Sequence, residues 1–143
     1  MKINRQGSAV WQGGLKDGKG AISTKSGAFK DVPYGFAARF EGQPGTNPEE
    51  LIGAAHAACF AMAMSAGLGE AGFTADQMDA KSDVTLEKVP DGFSITKIHL
   101  TLKAKIPGID NAKFQQIAEA TKLGCPVSKV LKGATITLDA ALA

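Results

Sequence analysis

The run Thr46-Asn47-Pro48-Glu49-Glu50-Leu51-Ile52-Gly53-Ala54-Ala55-His56-Ala57-Ala58-Cys59-Phe60-Ala61-Met62-Ala63-Met64-Ser65-Ala66-Gly67-Leu68-Gly69 decides the architecture. Its first five residues are a helix start: Asn47 caps, Pro48 stands where a missing N–H is harmless, and Glu50 completes a capping box. Glu49 and Glu50 also suit the positive end of a helix dipole. The helix then runs to Gly67 or Gly69, small or apolar on every face, the composition of a helix enclosed by other elements. Residues 51–69 carry no formal charge, so a bilayer span has to be weighed. Their Ala, Gly, Ser, His and Cys content, bracketed by Glu50 and Glu70, favours instead a helix buried in protein.

Upstream, short β-compatible runs at residues 8–12, 21–25 and 35–41 are separated by Gly-rich or Pro-containing turns and predict a small antiparallel sheet. Downstream, runs at 84–89 and 93–106 flank Val89-Pro90-Asp91-Gly92, a tight-turn sequence, and predict a long hairpin. The apolar positions of its second arm change phase near Thr96-Lys97, which calls for a bulge. Asp110 or Asn111 caps a further helix that ends at Gly124. Pro126 starts another short helix with Cys125 at its capping position, and residues 134–139 supply a last strand. The order β-β-β-α-β-β-α-α-β is that of an α+β protein with mostly antiparallel pairing.

The chain has 143 residues, with 16 Lys plus Arg against 14 Asp plus Glu, 44% hydrophobic and 21% charged. Residues 1–143 are expected to form a single domain, able to bury roughly 68% of its unfolded surface without disulfide or metal staples. A net charge of +2, with lysines and acids interspersed, argues against a nucleic-acid partner. Charges at Lys2 and Arg5 have no apolar stretch behind them, so the expected address is cytoplasmic, with no membrane association.

Chemistry centres on the two cysteines. Cys125 begins a helix, where unpaired backbone N–H groups stabilise a thiolate. Cys59 lies mid-helix and needs a cation from elsewhere to ionise at neutral pH. Both also fit as small buried hydrophobes. Arg39, in an otherwise apolar and aromatic strand, is the leading cation, with Glu49 and Glu50, the nearest acids in sequence to the cysteine helix, as candidate carboxylates to orient it; a surface ion pair and helix capping are their plain alternatives. Glu49 and Cys59 stand ten residues apart on one helix, about 15 Å. If Glu49, an arginine and Cys59 form one site, the glutamate comes from a second copy, which predicts a homodimer. His56 shares a face with Cys59, so a Cys–His nucleophilic pair is conceivable, and Cys59, Cys125, His56 and His99 compose a possible zinc set. Their spacing is not that of a zinc module. Phe40, Phe60, Met62 and Met64 are available to line an apolar approach to Cys59.

The run from Gly45 to Phe60, with Gly124-Cys125-Pro126-Val127-Ser128 downstream, closely resembles the OsmC/Ohr family of osmotically inducible and organic-hydroperoxide-resistance proteins. Gly7-Ser8-Ala9-Val10-Trp11-Gln12-Gly13 and the stretch from Pro33 to Glu41 resemble the OsmC branch more than the Ohr branch. The resemblance implies a thiol peroxidase built as an intertwined homodimer, with long central helices wrapped by antiparallel sheets and active sites at the subunit interface. It implies Cys59 as the peroxidatic cysteine, Cys125 as the resolving cysteine, and Glu49 as the carboxylate that orients the catalytic arginine. Arg39 fits the OsmC pattern. The Ohr branch places its arginine earlier, in a Gly-rich loop where this chain has Lys16, Lys19 and no Arg. No cofactor or metal is implied. Organic hydroperoxides are expected as substrates ahead of hydrogen peroxide, and a dithiol, a lipoylated protein among the candidates, as reductant. The other expectation is a noncatalytic dimeric thiol redox sensor or stress-binding protein.

Overall fold

The computed structural model describes residues 1–143, in two compact units, Met1–Leu51 and Ile52–Ala143. In the first, β1 (Gly7–Gln12), β2 (Lys19–Thr24) and β3 (Val32–Tyr34) form an antiparallel sheet in the order β1-β2-β3. Residues 35–41, expected as a strand, instead contain helix α1 (Phe36–Phe40). Two alanines favour a helix, and one turn brings the rings of Phe36 and Phe40 to 4.8 Å between centroids. Arg39 is therefore helical. Glu49 is the one buried residue in this unit, while Val10, Leu15 and Phe29 are exposed. A three-stranded sheet that buries neither face is a weak structure on its own.

Helix α2 (Pro48–Glu70) starts where expected, with Asn47 Oδ1 accepting the Glu50 N–H at 2.8 Å. The second unit holds most of it, followed by β4 (Gln77–Val89), β5 (Gly92–Lys105), α3 (Asn111–Gly124), α4 (Pro126–Val130) and β6 (Thr135–Leu142). The β4–β5 hairpin turns at Pro90-Asp91. Thr85 pairs with Lys97 and Leu86 with Ile95, so Thr96 is the extra residue of the expected bulge. Beyond it Ile98, Leu100, Leu102 and Ala104 are buried at alternate positions. Asp110 caps α3 by accepting the Lys113 N–H at 2.8 Å. The second sheet has the order β4-β5-β6 and is mixed, because β6 runs parallel to β5. The wrapping sheets are thus not purely antiparallel: the α3–α4 segment is long enough for the crossover that a parallel neighbour requires. The α+β class stands.

Within the chain, α2 is not enclosed on every side. Gly53, His56, Phe60, Met64 and Leu68 form one buried stripe, whereas Ala54, Ala58, Met62 and Ala66 are exposed, Met62 at 76%. By length and composition α2 could cross a membrane. Its stripe instead joins Leu100, Leu102 and Ala104 of β5, Phe114 and Ala118 of α3, and Cys125 in the core of the second unit. Gly53 admits β4, since a Cβ there would lie 3.0 Å from the Ser82 carbonyl oxygen. Phe60 is wholly buried in this core. Phe60→Ala is expected to destabilise by about 3–5 kcal/mol, read by urea unfolding at fixed protein concentration.

Candidate active site

Two constellations carry the chemistry. The first belongs to the first unit. Arg39, one turn into α1, meets Glu49, in the first turn of α2, through a forked contact: Nη2 donates to Oε1 at 2.8 Å, and Nε faces Oε1 at 3.2 Å and Oε2 at 3.3 Å. Glu49 is buried, whereas the Arg39 side chain is 37% exposed. The fork uses the Nε edge of the guanidinium and fixes its plane, leaving Nη1 without a hydrogen bond in the chain. The guanidinium carbon sits 5.3 Å from the Phe40 ring centroid. Trp11, Leu15, Tyr34, Phe36, Phe40 and Pro48 line a hollow of about 210 Å³ with Arg39 in its wall. The arginine and carboxylate singled out in the sequence are therefore partners.

The second constellation is the thiol pair. Cys59 on α2 and Cys125 at the α3–α4 junction are both reduced, and their Sγ atoms approach to 3.0 Å. Cys125 serves both helices: its N–H bonds the Thr121 carbonyl of α3, and its own carbonyl receives the Lys129 N–H of α4. It is fully buried, while Cys59 is partly exposed. Burial raises the Cys59 thiol, and the neighbouring Cys125 raises it further, against one lowering contact from the Val127 N–H. Burial also works against ionising Cys125. There, however, the hydrogen bond with Cys59, the N–H groups of Ser128 and Val127, and the Ser128 hydroxyl together bring the thiol below its ordinary value. Within the chain, the surroundings therefore favour ionisation of Cys125 over that of Cys59. Nothing in this unit supplies Cys59 with a cation.

His56 does not pair with Cys59. Its Nε2 lies 2.7 Å from Ser128 Oγ, its Nδ1 is buried without a partner, and burial lowers its pKa, so the ring is neutral. His99 sits on the second sheet, bonded to Thr137 at 2.5 Å and Asp139 at 3.0 Å. The zinc set is therefore dispersed, and no group of three His, Cys, Asp or Glu side chains is placed to hold a metal. Phe60 and Met64, offered above as pocket lining, are core residues, and Met62 faces outward. Ser128 was not singled out from the sequence. The signal was available, because a residue three positions after a capping residue faces it.

Two three-stranded sheets, a long cysteine-bearing helix and a second cysteine capping a short helix define the OsmC/Ohr class of fold. The model of the family described as OsmC-like protein matches residues 40–139. Peroxiredoxin OsmC of Escherichia coli (strain K12) is 58% identical over 139 residues, 97% of this chain and 96% of that protein. The organic hydroperoxide resistance protein of Xanthomonas axonopodis pv. citri is 34% identical over 101 residues, 68% of this chain and 69% of that one. The crystal structure of OhrB, the organic hydroperoxide resistance protein of Bacillus subtilis, superposes with a TM-score of 0.70 at 30% identity, covering 94% of this chain and 97% of that chain. The chain belongs to the OsmC-like protein family.

Proposed function

We propose that this protein is a thiol peroxidase that reduces organic hydroperoxides, working as a homodimer in which the Arg39–Glu49 pair of one protomer is set against the thiol pair of its partner. The observation that carries the reading is the thiol pair: two reduced sulfurs 3.0 Å apart, one on a partly exposed residue and one on a buried residue. The accessible sulfur, Cys59, attacks the peroxide oxygen nearer to it. The O–O bond breaks, alcohol leaves, and Cys59 becomes a sulfenic acid. The buried sulfur, Cys125, then attacks Cys59, water leaves, and a disulfide remains for an external dithiol to open by exchange. Proximity makes the second step unimolecular and limits overoxidation.

The arginine has two tasks in this scheme. Cys59 is raised by burial and by Cys125, so it needs the guanidinium to become a thiolate. The same N–H groups donate to the departing oxygen as charge develops there. Glu49 keeps the guanidinium aimed. Glu49→Gln is expected to lower kcat/KM about tenfold, because one charged hydrogen-bond acceptor is exchanged for a neutral one. Steady-state peroxide consumption checks this.

Two observations support the second copy. The first unit buries one residue, and α2 presents an exposed line of Ala54, Ala58, Met62 and Ala66. Along α2, Glu49 and Cys59 stand about 15 Å apart, so the arginine that Glu49 holds is better placed for a partner's cysteine than for its own. Met62→Glu is expected to raise the dimer dissociation constant at least a hundredfold, about 3 kcal/mol, and to cut activity in parallel. Sedimentation equilibrium reads the first and peroxide consumption the second.

The experiment that tests the function is turnover. With tert-butyl hydroperoxide and excess dihydrolipoamide, the protein is expected to consume many equivalents of peroxide per Cys59. Consumption that stops at one equivalent would replace the enzyme with the thiol sensor.

A further inference from the structure

The buried side chains around Cys125 include a polar pair that peroxide reduction as described does not use. His56 is fully buried on α2, and Ser128 is nearly so on α4. Their Nε2 and Oγ atoms lie 2.7 Å apart, and His56 Nδ1 has no partner. Ser128 stands three positions after Cys125, the capping residue of α4, close enough for its hydroxyl to help bring the Cys125 thiol below its ordinary value. A buried neutral histidine with an orphaned nitrogen is costly to keep, and apolar packing alone does not explain it.

We propose that His56 and Ser128 are positioning residues for the resolving step, His56 fixing the Ser128 hydroxyl so that it donates to Cys125 Sγ. The inference rests on the peroxidase reading above and adds a role to two residues outside its reacting pair. With the imidazole proton on Nε2, His56 donates to Ser128 Oγ, and the serine O–H is free to donate onward to the Cys125 thiolate. In the opposite tautomer Ser128 would donate to the ring, and Cys125 would lose its donor. The row His56, Ser128, Cys125 therefore has one productive polarity.

The step it serves is balanced. The Cys125 thiolate lone pair forms the S–S bond at Cys59. The S–O bond of the sulfenic acid breaks with its electrons on oxygen, and the departing hydroxide takes the proton released when the Cys125 thiol ionised, leaving as water. No outside oxidant or reductant enters. Of the titratable groups, Cys59 is the one that bears on Cys125, so the chief other control of its ionisation is the hydrogen bonding of α4.

The test separates the two half-reactions by rapid mixing with tert-butyl hydroperoxide, following formation and decay of the Cys59 sulfenic acid with a 1,3-dione trap. In Ser128→Ala and in His56→Phe, sulfenic acid should form within twofold of the wild-type rate, and disulfide should form about tenfold more slowly, with trapped and overoxidised Cys59 accumulating. His56→Gln, which keeps an N–H near the Nε2 position, should restore most of the second rate. In a Cys59→Ser background, thiolate absorbance against pH should show Cys125 ionising about one unit higher once Ser128→Ala is added.

Equal slowing of both phases, an unchanged second phase, or His56→Gln as slow as His56→Phe would each overturn the proposal. Because both phases are read in one sample, a partly unfolded variant does not mimic the expected split. If wild type forms neither sulfenic acid nor disulfide, the peroxidase reading itself fails; if it forms both and the variants do not split the phases, this inference alone fails.

Discussion

Cys59→Ser is expected to leave less than about a thousandth of the wild-type kcat/KM for tert-butyl hydroperoxide, because it removes the atom that accepts the oxygen. A serine hydroxyl does not ionise in the accessible pH range and forms no stable analogue of a sulfenic acid, so no residual pathway runs through residue 59. The remaining thiol, Cys125, is fully buried. The fold should survive, since serine is close to cysteine in size and Cys59 is only partly buried. Circular dichroism and sedimentation matching wild type, beside the lost activity, would assign the loss to chemistry. Activity above about a tenth of wild type would mean that Cys125 is the nucleophile, the role toward which the local hydrogen bonds of α4 already lean.

Arg39→Met is expected to lower kcat/KM by about 10²–10³, the range for removing a preorganised donor from developing negative charge. Two losses combine. Without the guanidinium, burial and Cys125 hold the Cys59 thiol above its ordinary value, so less thiolate is present at neutral pH. The departing oxygen also loses its donors. The pH profile separates these losses. Thiolate increases as pH rises through the thiol pKa, so activity of Arg39→Met should climb toward alkaline pH, whereas wild type should already be level there. The climb should stop short of wild type, because pH cannot restore donors to the leaving oxygen. Arg39→Lys should recover little, since an ammonium cannot fork onto Glu49 while presenting a second edge.

Local signals in the sequence translated well into structure, and the failures have physical causes. The Asn47-Pro48 start of α2, the Asp110 cap and the phase change at Thr96 were legible because each is decided within a few residues by backbone hydrogen bonding or by side-chain alternation. Residues 36–40 misled because five residues cannot distinguish period two from 3.6, and the Phe36–Phe40 contact one turn apart was the better guide. The direction of β6 was missed although a helical crossover after β5 already favoured a parallel return. In α2 the small or apolar side chains on every face concealed which stripe is buried, since no face was polar enough to be excluded.

The candidate site was legible in its members and not in its wiring. Cys59, Cys125, Arg39 and Glu49 stood out by residue type and motif. That Arg39 grips Glu49 with one edge of its guanidinium, and that His56 turns to Ser128 and away from a nucleophilic role, are non-local facts that only the folded chain contains.

The most direct test of the central claim is intact-mass analysis of wild type and Cys125→Ser after one equivalent of an organic hydroperoxide. The expected result is a loss of two hydrogens in wild type, with the Cys59–Cys125 disulfide found in its digest, and a gain of one or more oxygens on Cys59 in Cys125→Ser. An unoxidised Cys59 in the variant, or a wild-type disulfide that joins two protomers through the same cysteine, would contradict it.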